Sequence, residues 1–266
     1  CTAPAAPESA GDAAAPSEES VILTFLALHD GFDNAFPAFY EKYPEITIEP
    51  DYLPWDAFFE QIQVRLASGS GDPDVLEVDV PLTASYGFRD WLVPLDELFT
   101  EEEKDDWIPA AYEAGQYEGH LISGPMKTST QILYYNKDLL DQAGIEPPGE
   151  DERWTWEQLA EAAKDTTVDA DGDGVPETWG FIWEQIIRIY QLQPMPLSLG
   201  GEAIGPDGLT VRGVIDADPW IDAFTYYSKA FNDWKIAPQG EIGWPSDTLF
   251  RAGKLAFEVA GSWNVP

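Results

Sequence analysis

The sequence predicts an α/β fold built on a parallel, doubly wound sheet. Short apolar runs of strand length alternate with segments of helical periodicity over residues 21–80, which gives the order strand, helix, strand, helix, strand. Consecutive parallel strands require such helical crossovers, so this order favours a parallel sheet over hairpins. The apolar content of 44% is ordinary for a globular protein that buries a core.

Strands are predicted where apolar and β-branched residues run between turn signals, and helices where apolar residues recur every three or four positions. Helix ends carry their usual signals, with Pro37 in a first turn and Gly69 after a last turn. Thr155 and Gln158 have the spacing of a capping box. The predicted strands are 21–28, 46–53, 75–80, 121–122, 131–136, 179–182 and 255–259, and the predicted helices are 36–43, 55–68, 156–164 and 218–233, with a further helix start at 101.

Two of these helices have a predicted inward face. Residues at helical spacing form one apolar stripe on each, and that stripe is expected to pack against a sheet. For helix 55–68 the stripe is Phe59, Ile62 and Leu66, and for helix 218–233 it is Ile221, Phe224, Tyr227 and Phe231.

Charge is the most unusual property of the composition. The chain has 49 acidic and 14 basic residues, which gives a formal net charge of −35. Such a surface repels nucleic acid and anionic lipid headgroups, so no nucleic-acid partner is expected. Salt shortens the range of this repulsion from about 10 Å at 0.1 M to about 3 Å at 1 M. A salt-rich habitat and an ordinary acidic surface protein both fit the charge.

Cys1 is the only cysteine, so an intramolecular disulfide is excluded. Residues 2–20 are mostly Ala, Pro, Ser, Gly, Glu and Asp, a composition that cannot bury enough apolar area to fold and is typical of a tether. A cysteine before a disordered tether resembles a processed bacterial lipoprotein, in which the thiol carries lipid. Acyl chains contribute about 0.8 kcal/mol per buried methylene to membrane binding. The alternative is that Cys1 only marks a boundary of the sequence.

The segment from 169 to 180 has the residue order of a calcium loop. Aspartates at its first, third and fifth positions, a main-chain carbonyl at the seventh and glutamate at the ninth supply the hard oxygens that Ca²⁺ prefers. Gly180 occupies the twelfth position, where an EF-hand has a bidentate glutamate, so the loop is not a complete EF-hand. An Asx-rich turn without metal is the alternative. The predicted ligands of a structural Ca²⁺ are Asp169, Asp171, Asp173, Val175 and Glu177.

Four segments carry a resemblance to one known family. They are 55–79 with Asp72-Pro73-Asp74-Val75, 124–137 with Tyr134-Tyr135-Asn136-Lys137, 147–159 with Trp154-Thr155-Trp156, and 250–263 with Gly261-Ser262-Trp263. In this order and spacing they resemble the extracellular solute-binding proteins of sugar type, the lipoprotein capture component of ABC importers. Members of that family usually continue further, so a C-terminal truncation is expected.

The resemblance implies a two-lobed, periplasmic-binding-protein-like α/β fold with a ligand cleft between lobes joined by crossover strands. We expect a tether at 1–20, a first lobe at 21–125 and an incomplete second lobe at 126–266, with 255–266 as a candidate return to the first lobe. Hinge closure around ligand is an established motion of this architecture. A ligand that binds the closed state more tightly shifts the chain towards that state.

Candidate ligand residues follow from the resemblance and from the carboxyl ends of parallel strands, where open α/β sheets bind ligands. Aromatic rings cover the C–H faces of sugars, and carboxylates and amides bind their hydroxyls. Most of the 11 Trp, 11 Tyr and 13 Phe are expected in the core. Strand-edge packing is the alternative for Ser129 and Thr130, and a loop pair for His29 and Asp30. The candidates are His29, Asp30, Trp55, Asp79, Ser129, Thr130, Trp183, Glu184 and Trp263, of which Asp79 is the leading polar residue.

The expected function is capture of a mono- or oligosaccharide for ABC permease subunits, without catalysis and without an organic cofactor. His29 and His120 are the only histidines, and no nucleophile elbow, P-loop or dinucleotide motif occurs. A glycoside hydrolase, which needs two carboxylates about 5 to 9.5 Å apart, and a surface scaffold lipoprotein remain alternatives. A polyol, glycerol-phosphate ester or peptide remains an alternative ligand. A monomer held by lipid on Cys1 at the extracellular face of the membrane, or in the periplasm, is expected.

Overall fold

The computed structural model describes residues 20–183, 188–239 and 245–265. The chain divides into two compact units, one formed by residues up to 82 together with 89–93 and the other by 83–88 together with residues from 94 onwards. The predicted lobe boundary after residue 125 falls inside the second unit, and the assignment of lobes stays a prediction. No helix in the described ranges has the length and apolar character needed to cross a membrane.

The first unit contains the predicted parallel sheet. Its strand order is β2-β1-β3, with β1 in register with β2 from Val21 opposite Ile46 to Ala27 opposite Tyr52. Each crossover is a helix, which confirms the predicted alternation. Gly69 ends the second helix in the left-handed conformation, with φ of 66°. The elements are β1 (Val21–Ala27), α1 (Phe36–Lys42), β2 (Ile46–Tyr52), α2 (Trp55–Ser68) and β3 (Val75–Leu76).

Two predictions for this unit need correction. The third strand ends at Leu76, four residues earlier than predicted, and a 3-10 turn follows at Val80–Leu82. Asp79 therefore lies in a loop beyond the strand, not at its end. The buried face of α2 uses Phe58 with Ile62, while Phe59 is only half-buried. Phe58 and Ile62 are four residues apart and so share one face of the helix, which is the face that packs inward.

The second unit contains a second sheet of order β6-β8-β7. Its central strand β8 is antiparallel to β6 and parallel to β7. The predicted capping box is confirmed, because Gln158 N donates to Thr155 Oγ1 at 3.2 Å and Thr155 N donates to Gln158 Oε1 at 2.8 Å. The elements are α3 (Thr83–Phe88), α4 (Glu101–Asp105), α5 (Pro109–Ala114), β4 (Gln116–Tyr117), β5 (His120–Leu121), β6 (Gln131–Tyr135), α6 (Lys137–Ala143), α7 (Trp156–Thr166), β7 (Trp179–Trp183), α8 (Ile189–Leu192), α9 (Pro194–Ser198), α10 (Asp218–Asn232), α11 (Pro245–Arg251) and β8 (Leu255–Gly261).

The inward face of α10 differs from the prediction. Ile221 and Phe224 are 55% and 51% exposed, although both belong to the predicted apolar stripe. The helix carries two overlapping apolar stripes, and the buried one includes Ala223 and Ala230. The buried residues are Trp220, Ala223, Tyr226, Tyr227 and Ala230.

Candidate functional site

The carboxyl ends of the three parallel strands of the first unit meet at one edge of its sheet. Leu53 N donates to the carbonyl of Ala27 at 3.0 Å, and Glu77 N donates to the carbonyl of Leu26 at 2.9 Å. The carboxylate of Glu77 also accepts from Leu28 N at 3.0 Å. The strand ends are thus tied together, and the loops that follow them form one edge of the kind at which open α/β sheets bind ligands.

His29 and Asp30 follow β1 at this edge. His29 caps a 3-10 turn, and its Nδ1 accepts from Gly31 N at 2.9 Å. The ring stacks on Phe32 with centroids 6.2 Å apart and planes at 23°. Because Nδ1 is the acceptor, the neutral ring carries its proton on Nε2, which is a hydrogen-bond donor. His29 and Asp30 are both exposed, so both side chains are accessible to a ligand.

Trp55 and Asp79 follow β2 and β3 at the same edge. Trp55 begins α2 and packs edge-on against Phe59, with centroids 4.9 Å apart and planes at 77°. Asp79 is half-buried, and its main-chain carbonyl accepts from Leu82 N at 2.9 Å. The four candidates of the first unit therefore all belong to loops or a helix start at one sheet edge, as the topology predicts.

Tyr52 and Asp33 are two further polar residues at this edge, and the sequence reasoning did not single them out. The phenol of Tyr52, the last residue of β2, donates to the Asp33 carboxylate. Partial burial, the hydrogen bond to Asp33 and the nearby charges of Asp33 and Asp30 raise the pKa of Tyr52 to about 12. The phenol therefore stays protonated at neutral pH. The signal in the sequence that could have identified Tyr52 is its position as an aromatic residue near the end of a predicted parallel strand.

Ser129, Thr130 and Trp263 flank the strand ends at one edge of the second sheet, where β6 begins and β8 ends. Ser262 N donates to the carbonyl of Thr130 at 2.8 Å, and Thr130 N donates to Ser262 Oγ at 3.3 Å. Ser129 and Thr130 are exposed. The start of β6 and the end of β8 are thereby joined, so Ser129 and Thr130 precede one strand at the edge where Trp263 follows the other.

Trp263 has an exposed indole in this cluster. The residue is 41% exposed, and its ring lies edge-on to Tyr190, with centroids 6.5 Å apart and planes at 76°. The sequence reasoning did not single out Gln131, which pairs with Gly261, or Asn264, which follows Trp263. The atoms Gln131 Oε1 and Asn264 Nδ2 are buried and have no hydrogen-bond partner among the described residues. Buried polar atoms without a partner are rare and need an explanation such as a ligand or a water.

Trp183 lies in the core, which corrects its interpretation as a stacking plate. It is the last residue of β7 and not a loop residue after it, and it is 6% exposed. Its ring is 4.1 Å from that of Tyr227 and 5.1 Å from that of Phe231. The face that a sugar would need is covered by α10. Glu184, the adjacent candidate, lies outside the described residues.

The candidate calcium loop brings three of its predicted ligands together. One carboxylate oxygen each from Asp169, Asp171 and Glu177 lie within 4.8 Å of one another, and all three residues are exposed. Ca²⁺ binds oxygens at about 2.3–2.6 Å, so ligand oxygens on opposite sides of the ion lie about 5 Å apart and this spacing fits. Asp173 is not part of that group, and its Oδ1 accepts from Val175 N at 2.8 Å within the turn.

The loop is closed at its base and leads directly into the second sheet. Val168 N donates to the carbonyl of Thr178 at 2.9 Å, so the two ends of the loop pair as a bridge. Asp169 accepts from Gly172 N at 2.9 Å and from Gly174 N at 3.0 Å. An ion in this loop would fix the start of β7.

Comparison with known proteins identifies relatives that are all solute-binding proteins. Residues 27–265 match the sequence model of the family described as bacterial extracellular solute-binding protein. A mannitol-binding protein of Pseudomonas aeruginosa is 30% identical over 125 residues, which are 47% of this chain and 28% of that protein. An arabinooligosaccharide-binding protein of Halalkalibacterium halodurans is 26% identical over 159 residues, or 58% of this chain and 35% of that protein.

A solved structure agrees with these sequence matches. The ABC substrate-binding protein of Listeria monocytogenes in complex with cycloalternan superposes with a TM-score of 0.72 at 25% identity, over 92% of this chain and 62% of that protein. The predicted two-lobed α/β fold class is therefore confirmed by its structural relatives. The chain spans less than two thirds of the length of each of these relatives.

Proposed function

Because the chain belongs to the bacterial extracellular solute-binding protein family, we propose that it captures a sugar or a sugar-like polyol for the permease of an ABC importer. The observation that carries the proposal is the cluster in the second unit, where Trp263, 41% exposed, follows β8 at the same sheet edge at which the exposed Ser129 and Thr130 precede β6. A neutral sugar needs this combination, an apolar plate and short polar groups around it. Relatives that bind mannitol and arabinooligosaccharide support the same ligand class.

The first unit has its own set of polar groups at the carboxyl edge of its sheet. His29 and Asp30 are exposed and Asp79 is half-buried, so an imidazole and two carboxylates lie at this edge, and the Tyr52 phenol stays protonated at neutral pH. Sugar hydroxyls both donate and accept, so a mixture of donors and acceptors suits them. Trp183 does not contact the ligand in this proposal, because its side chain is buried in the core.

Binding without chemical conversion is a second part of this proposal. The relatives are named as binding proteins, which favours a receptor over a glycoside hydrolase. His120 belongs to the β4–β5 hairpin and not to the candidate cluster, and its Nδ1 lies 3.2 Å from the Asp96 carboxylate. Product analysis after incubation with oligosaccharides tests this part, since released reducing ends would support the hydrolase.

A structural Ca²⁺ in the 169–177 loop is part of the proposal. Support comes from the calcium-loop order of the sequence and from the three carboxylates within 4.8 Å of one another. An ion at about 100 times its Kd stabilises the folded state by about 2.7 kcal/mol. We expect the melting temperature to fall on EDTA treatment and to recover with Ca²⁺. Asp171→Asn should abolish this response, and Asp207→Asn, which alters a loop outside the carboxylate cluster, should keep it.

Lipid attachment at Cys1 completes the proposal and sets the location at the extracellular face of the membrane or in the periplasm. Residues 2–20 have the composition of a tether, and the family is extracellular. Mass spectrometry of the protein isolated from membranes tests it. An unmodified Cys1 thiol would refute lipid attachment and leave the sugar-binding proposal unaffected.

Thermal shift and calorimetric titration against a panel of sugars and polyols test the central proposal. We expect saturable binding of at least one neutral ligand and a weaker response to sugar phosphates, because the chain carries a formal charge of −35. Trp263→Ala should weaken the binding. A full panel without saturable binding would refute the proposal, and unchanged affinity in Trp263→Ala would remove the second-unit cluster from it.

A further inference from the structure

The indole of Trp263 occupies the position that a side chain at residue 261 would take. A Cβ atom built on Gly261 would lie 2.2 Å from Trp263 Cζ2 and Cη2 and 2.3 Å from Cε2. Ordinary van der Waals contacts of a Cβ atom lie at 3.4–4 Å, so the six-membered part of the indole lies against the bare main chain at the end of β8. Only glycine leaves room for the ring in this position.

The backbone at Gly261 does not itself require glycine. Its φ of −74° and ψ of 154° are ordinary extended values that any residue adopts. Gly69, with φ of 66°, is a contrasting case in which glycine serves the backbone conformation. The reason for glycine at 261 is therefore the space it leaves for Trp263.

The main chain around Gly261 is held on several sides. Gly261 pairs with Gln131 across the β6–β8 ladder, and its carbonyl accepts from the Tyr134 hydroxyl at 2.8 Å. The next residue, Ser262, exchanges two hydrogen bonds with Thr130. Since the strand is fixed, a side chain at 261 would displace the indole and not the backbone.

We propose that Gly261 is a positioning residue for ligand binding. Because Gly261 has no side chain, the Trp263 indole can pack directly against the main chain at the end of β8. One face of the Trp263 ring then lies on the end of β8, and the Tyr190 ring lies nearly perpendicular to it. Trp263 is 41% exposed, and this exposed part of the indole can contact the C–H face of a neutral sugar ring or an extended polyol. The inference rests on the proposed function, because it assigns Trp263 the role of stacking plate.

Gly261→Ala tests the inference, with Gly149→Ala as the matched control. A Cβ at Gly149 would have no neighbour closer than 3.9 Å. We expect Gly261→Ala to weaken binding of the best ligand of the panel by roughly 3- to 10-fold, the range that corresponds to loss of one aromatic contact. Its melting temperature should stay close to that of Gly149→Ala, which should bind as the unaltered protein does.

A double-mutant cycle separates positioning from a general structural effect. If Gly261 acts through the indole, Gly261→Ala should have no further effect on affinity in the Trp263→Ala background. Equal losses in both backgrounds would overturn the inference, as would unchanged affinity in Gly261→Ala or a loss of affinity that only follows a loss of melting temperature.

The position of the ring can also be measured without ligand, which keeps this test separate from that of the proposed function. In protein labelled with 5-fluorotryptophan, the ¹⁹F signal of Trp263 is assigned by its absence in Trp263→Phe. We expect Gly261→Ala to shift that signal and to leave the signals of the core tryptophans in place, whether or not any sugar binds. An unshifted Trp263 signal would overturn the inference.

Discussion

Trp183 and Trp263 both follow or end a strand of the second sheet, and the structure predicts opposite consequences for their replacement. Trp183 is 6% exposed and contacts the rings of Tyr227 and Phe231, whereas Trp263 is 41% exposed. Trp183→Ala removes a buried aromatic side chain and leaves a cavity in the core. Such a change costs about 3–5 kcal/mol of the free energy of unfolding.

This free energy corresponds to a large change in thermal stability. For a domain of 150–250 residues, 1 kcal/mol shifts the melting temperature by about 2–4 °C. We therefore expect Trp183→Ala to lower the melting temperature by about 6–20 °C. Substitutions at exposed positions usually change stability by no more than about 0.5 kcal/mol, so Trp263→Ala should shift it by less than about 2 °C.

Differential scanning fluorimetry and calorimetric titration, both performed on the same two variants, measure the contrast. At a temperature where both variants are folded, Trp263→Ala should bind sugar more weakly and Trp183→Ala should bind with nearly unchanged affinity. Trp183→Phe is the conservative control and should recover most of the stability. The reasoning is refuted if Trp183→Ala keeps its melting temperature and loses affinity, because Trp183 would then act as the plate.

Three further predictions concern stability. Hydrogen bonds from the Thr210 hydroxyl and from Thr210 N and Leu209 N lower the pKa of Asp207 to about 2. The stabilisation by this carboxylate is therefore present above its ordinary pKa of about 3.9 and is lost as pH falls through about 2. Asp207→Asn should make the loss of stability with falling pH less steep in that window, as measured by circular dichroism. An unchanged acid-unfolding profile would contradict this. Gly180→Ala would bring a Cβ within 1.9 Å of the Ala163 carbonyl oxygen, so the free energy of unfolding should fall by at least about 1–3 kcal/mol. The urea midpoint should fall accordingly, whereas Gly149→Ala should leave it unchanged. Because of the charge of −35, the melting temperature should rise between about 0.1 and 1 M KCl, and a flat response would remove the salt-rich habitat as an explanation.

Local signals made several elements predictable from the sequence. The bounds of α2 agree with the prediction because Pro54 precedes its first turn and Gly69 can adopt the left-handed conformation after its last. The start of α7 was predicted correctly because Thr155 and Gln158 satisfy each other's main-chain groups over three residues. Such signals depend only on neighbours in the sequence.

Tertiary contacts decided what the sequence did not reveal. Two apolar stripes overlap on α10, and only packing determines that Trp220 is buried while Ile221 is exposed. Trp183 and Trp263 have similar local contexts, and they differ because α10 covers the first while bare main chain at Gly261 supports the second. The strand β3 stops early, so the position of Asp79 depended on a boundary that apolar pattern alone does not define.

Among the described strands of the second sheet, the central strand β8 comes last in the sequence, which affects the order of folding. Strands β6 and β7 each pair with β8 and not with each other, and the bond between Thr130 and Ser262 joins residues 132 apart. Closing such long loops costs entropy before any contact forms, which slows folding. A nascent chain that has not reached residue 255 can form the three described strands of the first sheet, which lie within residues 21–76, but its second sheet still lacks the strand that joins the other two.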